Sequence, residues 1–149
     1  VGLFVDETAP DVLRICEEVG LSTVQLHGDE SPSMAASLRR LTRIKAFRIQ
    51  DEDDIRRLPR YQVEAYLLDA YVPGAEGGTG ETFDWAIARD ALPYGPVILA
   101  GGLTPENVAE AVHMALPYAV DVASGVESTP GVKDRDLMEA FVRNAKNAE

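Results

Sequence analysis

Short apolar runs recur along the chain at Val1–Val5, Thr23–His27, Ile44–Ile49, Ala65–Ala70, Pro96–Ala100 and Ala119–Ala123, each bounded by turn residues. Runs of this length and composition read as strands. Between them the period lengthens to that of a helix. Val12, Ile15, Cys16 and Val19 share one helical face, as do Met34, Leu38 and Leu41, then Val108, Ala111, Val112 and Ala115, and finally Leu137, Ala140 and Phe141. Thr8-Ala9-Pro10, Ser31-Pro32 and Thr104-Pro105 each set a hydroxyl just ahead of a proline, the arrangement that caps a helix N-terminus, and Gly20 supplies a stop. Fainter periodicity predicts two more helices, one from Asp51 to Leu58 and one from Phe83-Asp84-Trp85 to Arg89.

Strands that are apolar nearly throughout, separated by helices and without Asn-Gly hairpins, indicate a parallel sheet covered by helices. A closed barrel and an open doubly wound sheet both satisfy this pattern. Either places function on the loops leaving the strand C-termini. The 149 residues, 46% of them hydrophobic, supply one core, so a single domain over 1–149 is expected. A net charge of −11, without a basic run, argues against a nucleic-acid or anionic-membrane partner. One cysteine, Cys16, forms no internal disulfide, and no signal peptide or long apolar span occurs, which fits a cytoplasmic setting. Because Val1 falls inside the first apolar run, a preceding N-terminal piece is expected.

The strand ends and following loops give Asp6, then His27-Gly28-Asp29-Glu30, then Arg48 and Gln50, then Asp69, then Ala100-Gly101-Gly102, then Asp121 and Ser124-Gly125. Three glycine clusters, Gly77-Gly78-Thr79-Gly80, Gly101-Gly102 and Ser124-Gly125, follow the last three strands. Glycine allows backbone N–H groups to approach an anion, so these loops together suit a phosphate; a tight turn would ask for the same residue. In barrels the phosphate site typically lies after the last two strands. Asp69 ends an apolar strand, and such a wall favours the protonated carboxyl that a general acid needs, although capping of the next loop would also use an aspartate. Asp121, between Val120 and Val122, is expected on the inner face, where it would bind a substrate donor or pair with an arginine. His27 is the rim histidine, whereas His113 belongs to a helix. No zinc-type spacing occurs, and no metal is expected. Cys16 falls on a buried helical stripe and reads as a packing thiol.

Taken in order, Val24-Gln25-Leu26-His27-Gly28-Asp29-Glu30, Leu67-Leu68-Asp69, Gly77-Gly78-Thr79-Gly80 with Phe83-Asp84-Trp85, Leu99-Ala100-Gly101-Gly102-Leu103 with Pro105-Glu106-Asn107-Val108, and Asp121 to Ser128 with Gly131-Val132-Lys133-Asp134 resemble the phosphoribosylanthranilate isomerase family across essentially the whole chain. The resemblance implies a (β/α)8 TIM barrel, with six of the eight strand-helix units present. It also implies an Amadori rearrangement in tryptophan biosynthesis, an aldose-ketose isomerisation of a phosphosugar that requires no cofactor. Asp69 matches the family's general acid, Asp121 a residue near the anthranilate moiety, and His27 a rim position that would contact substrate. The phosphate would lie against Gly80, Gly101, Gly102, Ser124 and Gly125.

The family's first strand, with its cysteine base, and the second-strand loop, with an arginine for the anthranilate carboxylate, have no counterpart here. Six units at about 25 residues each leave room for two more, roughly 50 residues, before eight are reached. The chain alone is therefore expected to be inactive, with a homodimer or association through open barrel edges as its expected partnership. Three alternatives are an incomplete phosphate-binding barrel fragment, a related phosphosugar barrel such as indole-glycerol-phosphate synthase, and an open flavodoxin-like receiver or binding module. The second would need a catalytic lysine on the rim, and Lys45 lies early in its strand; the third would need an acid cluster at the first strand end, reduced here to Asp6 and Glu7, and a later strand-end lysine, which is lacking.

Overall fold

Each apolar run forms a strand, and every strand lies next to its neighbour in sequence. The computed structural model describes residues 1–69 and 85–148. Strands β1 (Gly2–Phe4), β2 (Thr23–Leu26), β3 (Thr42–Arg48), β4 (Ala65–Asp69), β5 (Val97–Ala100) and β6 (Ala119–Val120) pair in parallel in the order β1-β2-β3-β4-β5-β6. A doubly wound sheet reverses its strand order at a switch point. This sheet does not reverse, so it is the arc of a (β/α) barrel with β1 and β6 at its two edges among the described residues.

Helices α1 (Ala9–Val19), α2 (Pro32–Ser37), α3 (Glu52–Ile55), α4 (Trp85–Arg89), α5 (Val108–Ala115) and α6 (Arg135–Lys146) fill the intervals. Thr8 Oγ1 accepts from the Asp11 N–H at 3.4 Å and Ser31 Oγ from the Met34 N–H at 3.2 Å, as the hydroxyl-proline pairs predict. Gly20, at φ 75°, ends α1 in the left-handed conformation that glycine tolerates. Several boundaries differ from the sequence reading: α2 ends at Ser37, short of Leu38 and Leu41, and β6 stops at Val120 instead of Ala123. The Asp51–Leu58 helix stops at Ile55 and resumes as a 3-10 turn over Leu58–Arg60, because Pro59 has no N–H to give. Helix α5 starts at Val108 and not at Pro105: Thr104 Oγ1 accepts only from the Glu106 N–H, at 3.3 Å, in a local turn. An antiparallel hairpin, β7 (Glu127–Thr129) with β8 (Val132–Lys133), was not anticipated and turns through Pro130-Gly131, with Gly131 at φ 81°.

The sheet has two apolar faces. Outward residues pack against helices in one large cluster around Phe47, Leu68, Val97, Leu99, Trp85 and Val108, and a second around Phe4, Val12, Cys16, Val24 and Leu26. Inward residues Ala46, Leu67 and Ala100, flanked by Ile44 and Ile98, form a smaller inner cluster. Leu99 is fully buried in the outer core. Replacing it with alanine is expected to cost about 2–5 kcal/mol, from lost transfer energy and the cavity left behind. A shift of the urea-unfolding midpoint measures this, and a cost under about 1 kcal/mol would contradict the placement.

Candidate active site

Parity along the strands decides which polar side chains meet. Asp69 ends β4 in step with Leu67, and Leu67 packs in the inner cluster, so Asp69 faces the barrel interior and not the helices. Its register partners are Arg48 on β3 and Ala100 on β5. Ala100 runs straight into Gly101 and Gly102, whose φ values of 84° and 63° lie in the left-handed region that suits glycine. Asp69 therefore adjoins the first glycine turn.

His27 lies on the other side of Asp69. Its Nε2 is 3.8 Å from Asp69 Oδ2, and the two side chains are 27% and 25% exposed. The backbone N–H of His27 donates to the Phe4 carbonyl at 2.8 Å, and ring Nδ1 lies 2.9 Å from Gln25 Nε2. Ala46, the inward residue on the intervening strand β3, is small enough to let them approach. A cavity of about 360 Å³ adjoins His27, lined also by Asp6, Asp29, Arg48 and Arg57.

Asp121 follows β6. Val120 and Val122 pack against the outer core, so Asp121 takes the opposite face as expected, and it is exposed there. Its N–H donates to the Leu99 carbonyl at 2.8 Å, which holds it to the end of β5. Beyond it, Ser124–Val126 forms a 3-10 turn with Ser124 exposed. Gly125 approaches the Leu103 carbonyl so closely that a Cβ there would overlap it, and would also stand 3.3 Å from Thr104 Cα. The loops after β5 and β6 thus interlock backbone against backbone. Asn107 clamps the first of them: its Oδ1 accepts from the Thr104 N–H at 2.8 Å and its Nδ2 donates to the Gly102 carbonyl at 3.0 Å. Gly101, Gly102, Ser124 and Gly125 consequently belong to two adjoining turns. Gly80, with the rest of Gly77-Gly78-Thr79-Gly80, lies outside the described residues. Among the described residues no group of three or more His, Cys, Asp or Glu side chains is gathered as a metal would require.

The pair that sets the geometry of this rim was missed in the sequence. Lys45 and Glu30 are buried, with Nζ 3.1 Å from Glu30 Oε2. The ammonium also donates to the Leu26, Gly28 and Ala46 carbonyls at 3.3, 2.7 and 2.9 Å. The Glu30 carboxylate accepts from the Asp6 N–H at 3.0 Å and from the Gly28 N–H at 3.1 Å. One ion pair thereby ties the loops after β1 and β2 to β3, immediately beside His27. Asp6 completes the contact by accepting from the Asp29 N–H at 2.6 Å; it sits at φ 56°, and Gly28 is so close that a Cβ would meet the Asp6 nitrogen at 2.7 Å. A lysine inside an apolar strand, with a glutamate in the preceding rim loop, was the available signal.

Comparison with known proteins places the chain. Residues 1–144 match the model of the family described as N-(5'-phosphoribosyl)anthranilate (PRA) isomerase. An N-(5'-phosphoribosyl)anthranilate isomerase of Geobacter sp. (strain M21) is 53% identical over 98% of this chain and 71% of its own length. The crystal structure of the phosphoribosyl anthranilate isomerase from Thermotoga maritima superposes with a TM-score of 0.87 at 40% identity, over 98% of this chain and 72% of that one. A third, solved in complex with reduced 1-(o-carboxyphenylamino)-1-deoxyribulose 5-phosphate, gives 0.83 at 37% identity, over 98% and 70%.

Burial pushes the Glu30 carboxyl up, but the backbone N–H donors and Lys45 outweigh it and hold the group below its ordinary 4.5. A carboxyl lowered by folding stabilises above its unfolded value and loses that contribution as pH falls through the folded one. Stability is therefore expected to decline on acidification below about 4.5, and less steeply in Glu30→Gln, with Glu64, lowered by the Arg43 guanidinium, accounting for part of what remains. Lys45→Met at neutral pH leaves a buried carboxylate unpaired and is expected to cost about 3–5 kcal/mol. Denaturant titrations between pH 3 and 7 check both.

Proposed function

Because the chain belongs to the phosphoribosylanthranilate isomerase family, we propose a division of labour among its residues in the Amadori rearrangement of N-(5'-phosphoribosyl)anthranilate to 1-(o-carboxyphenylamino)-1-deoxyribulose 5-phosphate. This aldose-ketose isomerisation belongs to tryptophan biosynthesis, a cytoplasmic setting. Asp69 gives its proton to the furanose ring oxygen, the C1'–O bond breaks, and the anthranilate nitrogen lone pair forms a Schiff base with C1'. Loss of the C2' proton gives an enolamine, which tautomerises to the ketone. The observation that carries this reading is the inward Asp69 beside both His27 and the Gly101-Gly102 turn. Gly101, Gly102, Ser124 and Gly125 hold the phosphate through backbone N–H groups, at the barrel position where phosphates commonly bind. His27 and Asp121 contact the sugar and anthranilate portions.

The C2' base is not among the described residues of this chain. Cys16 is 3% exposed on the helix side of the sheet, and burial pushes its thiol up, away from the thiolate a base requires. Lys45 likewise faces the helices and is held by Glu30, which removes the lysine that an indole-glycerol-phosphate synthase would use. The 149 residues are therefore read as catalytically incomplete alone. Their exposed edges, with Leu3 60% and Tyr118 80% accessible, suit association with further barrel units or a second copy.

Loss of substrate fluorescence on mixing with this chain alone is expected to match the uncatalysed rate. Supplying the N-terminal segment of the Geobacter relative is expected to restore turnover, and catalysis by the chain alone would refute the assignment of the base. In the completed enzyme, Asp69→Asn is expected to lower kcat by about 10²–10⁴-fold; a full rate would remove Asp69 from its role.

A further inference from the structure

We propose that Gln25 is a positioning residue that decides which oxygen of Asp69 carries the transferable proton. The inference rests on the reading of Asp69 as general acid and extends it to a residue two positions before His27. Gln25 and His27 share the inner face of β2 because Val24 and Leu26, between and beside them, are fully buried in the outer core. Gln25 Nε2 lies 2.9 Å from His27 Nδ1. An amide nitrogen has hydrogens to donate and no lone pair to offer, so Nδ1 is the acceptor and the single ring proton of the neutral imidazole sits on Nε2.

Nε2 is the atom that faces Asp69, 3.8 Å from Oδ2. That separation is longer than a hydrogen bond, so the influence is electrostatic: an N–H turned toward Oδ2 sets its positive end there and disfavours a carboxyl proton on the same oxygen. Oδ1 is thereby the favoured site of the acid's one hydrogen. On ring opening it passes from Oδ1 to the ring oxygen, which becomes a hydroxyl as C1'–O breaks, and the carboxylate left behind closes on the waiting Nε2–H. The reversed tautomer would turn a lone pair toward Oδ2 and draw the proton to the oxygen that faces His27 instead of the substrate. The side chain of Gln25 thus acts on the chemistry without touching the reacting atoms.

Histidine ¹⁵N-labelled in this chain alone, within the completed enzyme, gives two side chains to distinguish, His27 and His113. The expected His27 spectrum has Nε2 protonated and Nδ1 bare; a protonated Nδ1 with a bare Nε2 overturns the proposal. Gln25→Glu offers Nδ1 an acceptor, so it is expected to move the proton to Nδ1 and lower kcat about 10- to 100-fold, a part of what a general acid supplies, with KM within about twofold. Gln25→Met, which keeps the length but not the donor, is expected to show mixed tautomers and a smaller loss of kcat. An unchanged kcat in Gln25→Glu, or a rise in KM alone, overturns the proposal. Full activity in Asp69→Asn would instead sink the underlying acid assignment, so the two failures are distinguishable.

Discussion

A parallel strand sends every second side chain to the same face, and six such strands in register turn that alternation into a sorting rule for the whole molecule. Val24, Leu26, Phe47, Leu68 and Leu99 go outward to the helices, while Ala46, Leu67 and Ala100 go inward. The same rule carries Gln25, His27, Asp69 and Asp121 to the inner face at the strand ends. A one-residue slip of β4 would bury Asp69 against helices and expose Leu68, so the energy of the outer core is also what aims the Asp69 carboxyl inward.

Alternation aims side chains but does not fix loops, and here two different devices do so. On the β1-to-β3 side a buried ion pair is saturated with hydrogen bonds: Lys45 to three carbonyls and Glu30 to two backbone N–H groups. Its desolvation is offset only because each partner is so fully satisfied. On the β5-to-β6 side the contacts between the two turns are uncharged, while the Lys133 ammonium, paired with Glu127, holds the Ala123 carbonyl just ahead of the second turn. Gly125 seats directly against the Leu103 carbonyl, and the Asn107 side chain closes the preceding turn. The Lys45–Glu30 brace stands beside His27, gripping the carbonyls of Leu26 and Gly28 on either side of it.

In the proposed reading, an acid on one arc of the barrel and a base supplied from elsewhere fit an isomerisation in which the proton given to a ring oxygen and the proton taken from carbon are separate events. On that reading, closing the ring of strands would complete the chemistry as well as cover the inner face. The exposed apolar side chains at the β1 and β6 edges are the same requirement expressed as surface.

The sequence by itself determined the six strands, the helices between them, the inward parity of Asp121, the packing role of Cys16 and, through ordered motifs, the family. These are local or periodic properties, and period-two and 3.6 patterns together with hydroxyl-proline caps carry them without knowledge of partners. Helix α5 was placed three residues early because Thr104-Pro105 looks like a cap, whereas the segment up to Asn107 forms a separate turn that the Asn107 side chain closes through Thr104 and Gly102, contacts that no spacing encodes. The hairpin at β7 and β8 escaped notice since its strands are short and exposed. Periodicity left a barrel arc and a doubly wound sheet both open, the motifs implied the barrel, and the pairing order shows it, because strand order is a property of pairing and not of pattern. The tertiary structure alone joined Lys45 to Glu30 and brought His27 to Asp69 across Ala46, for those meetings depend on the relative height of strands that are far apart in the chain.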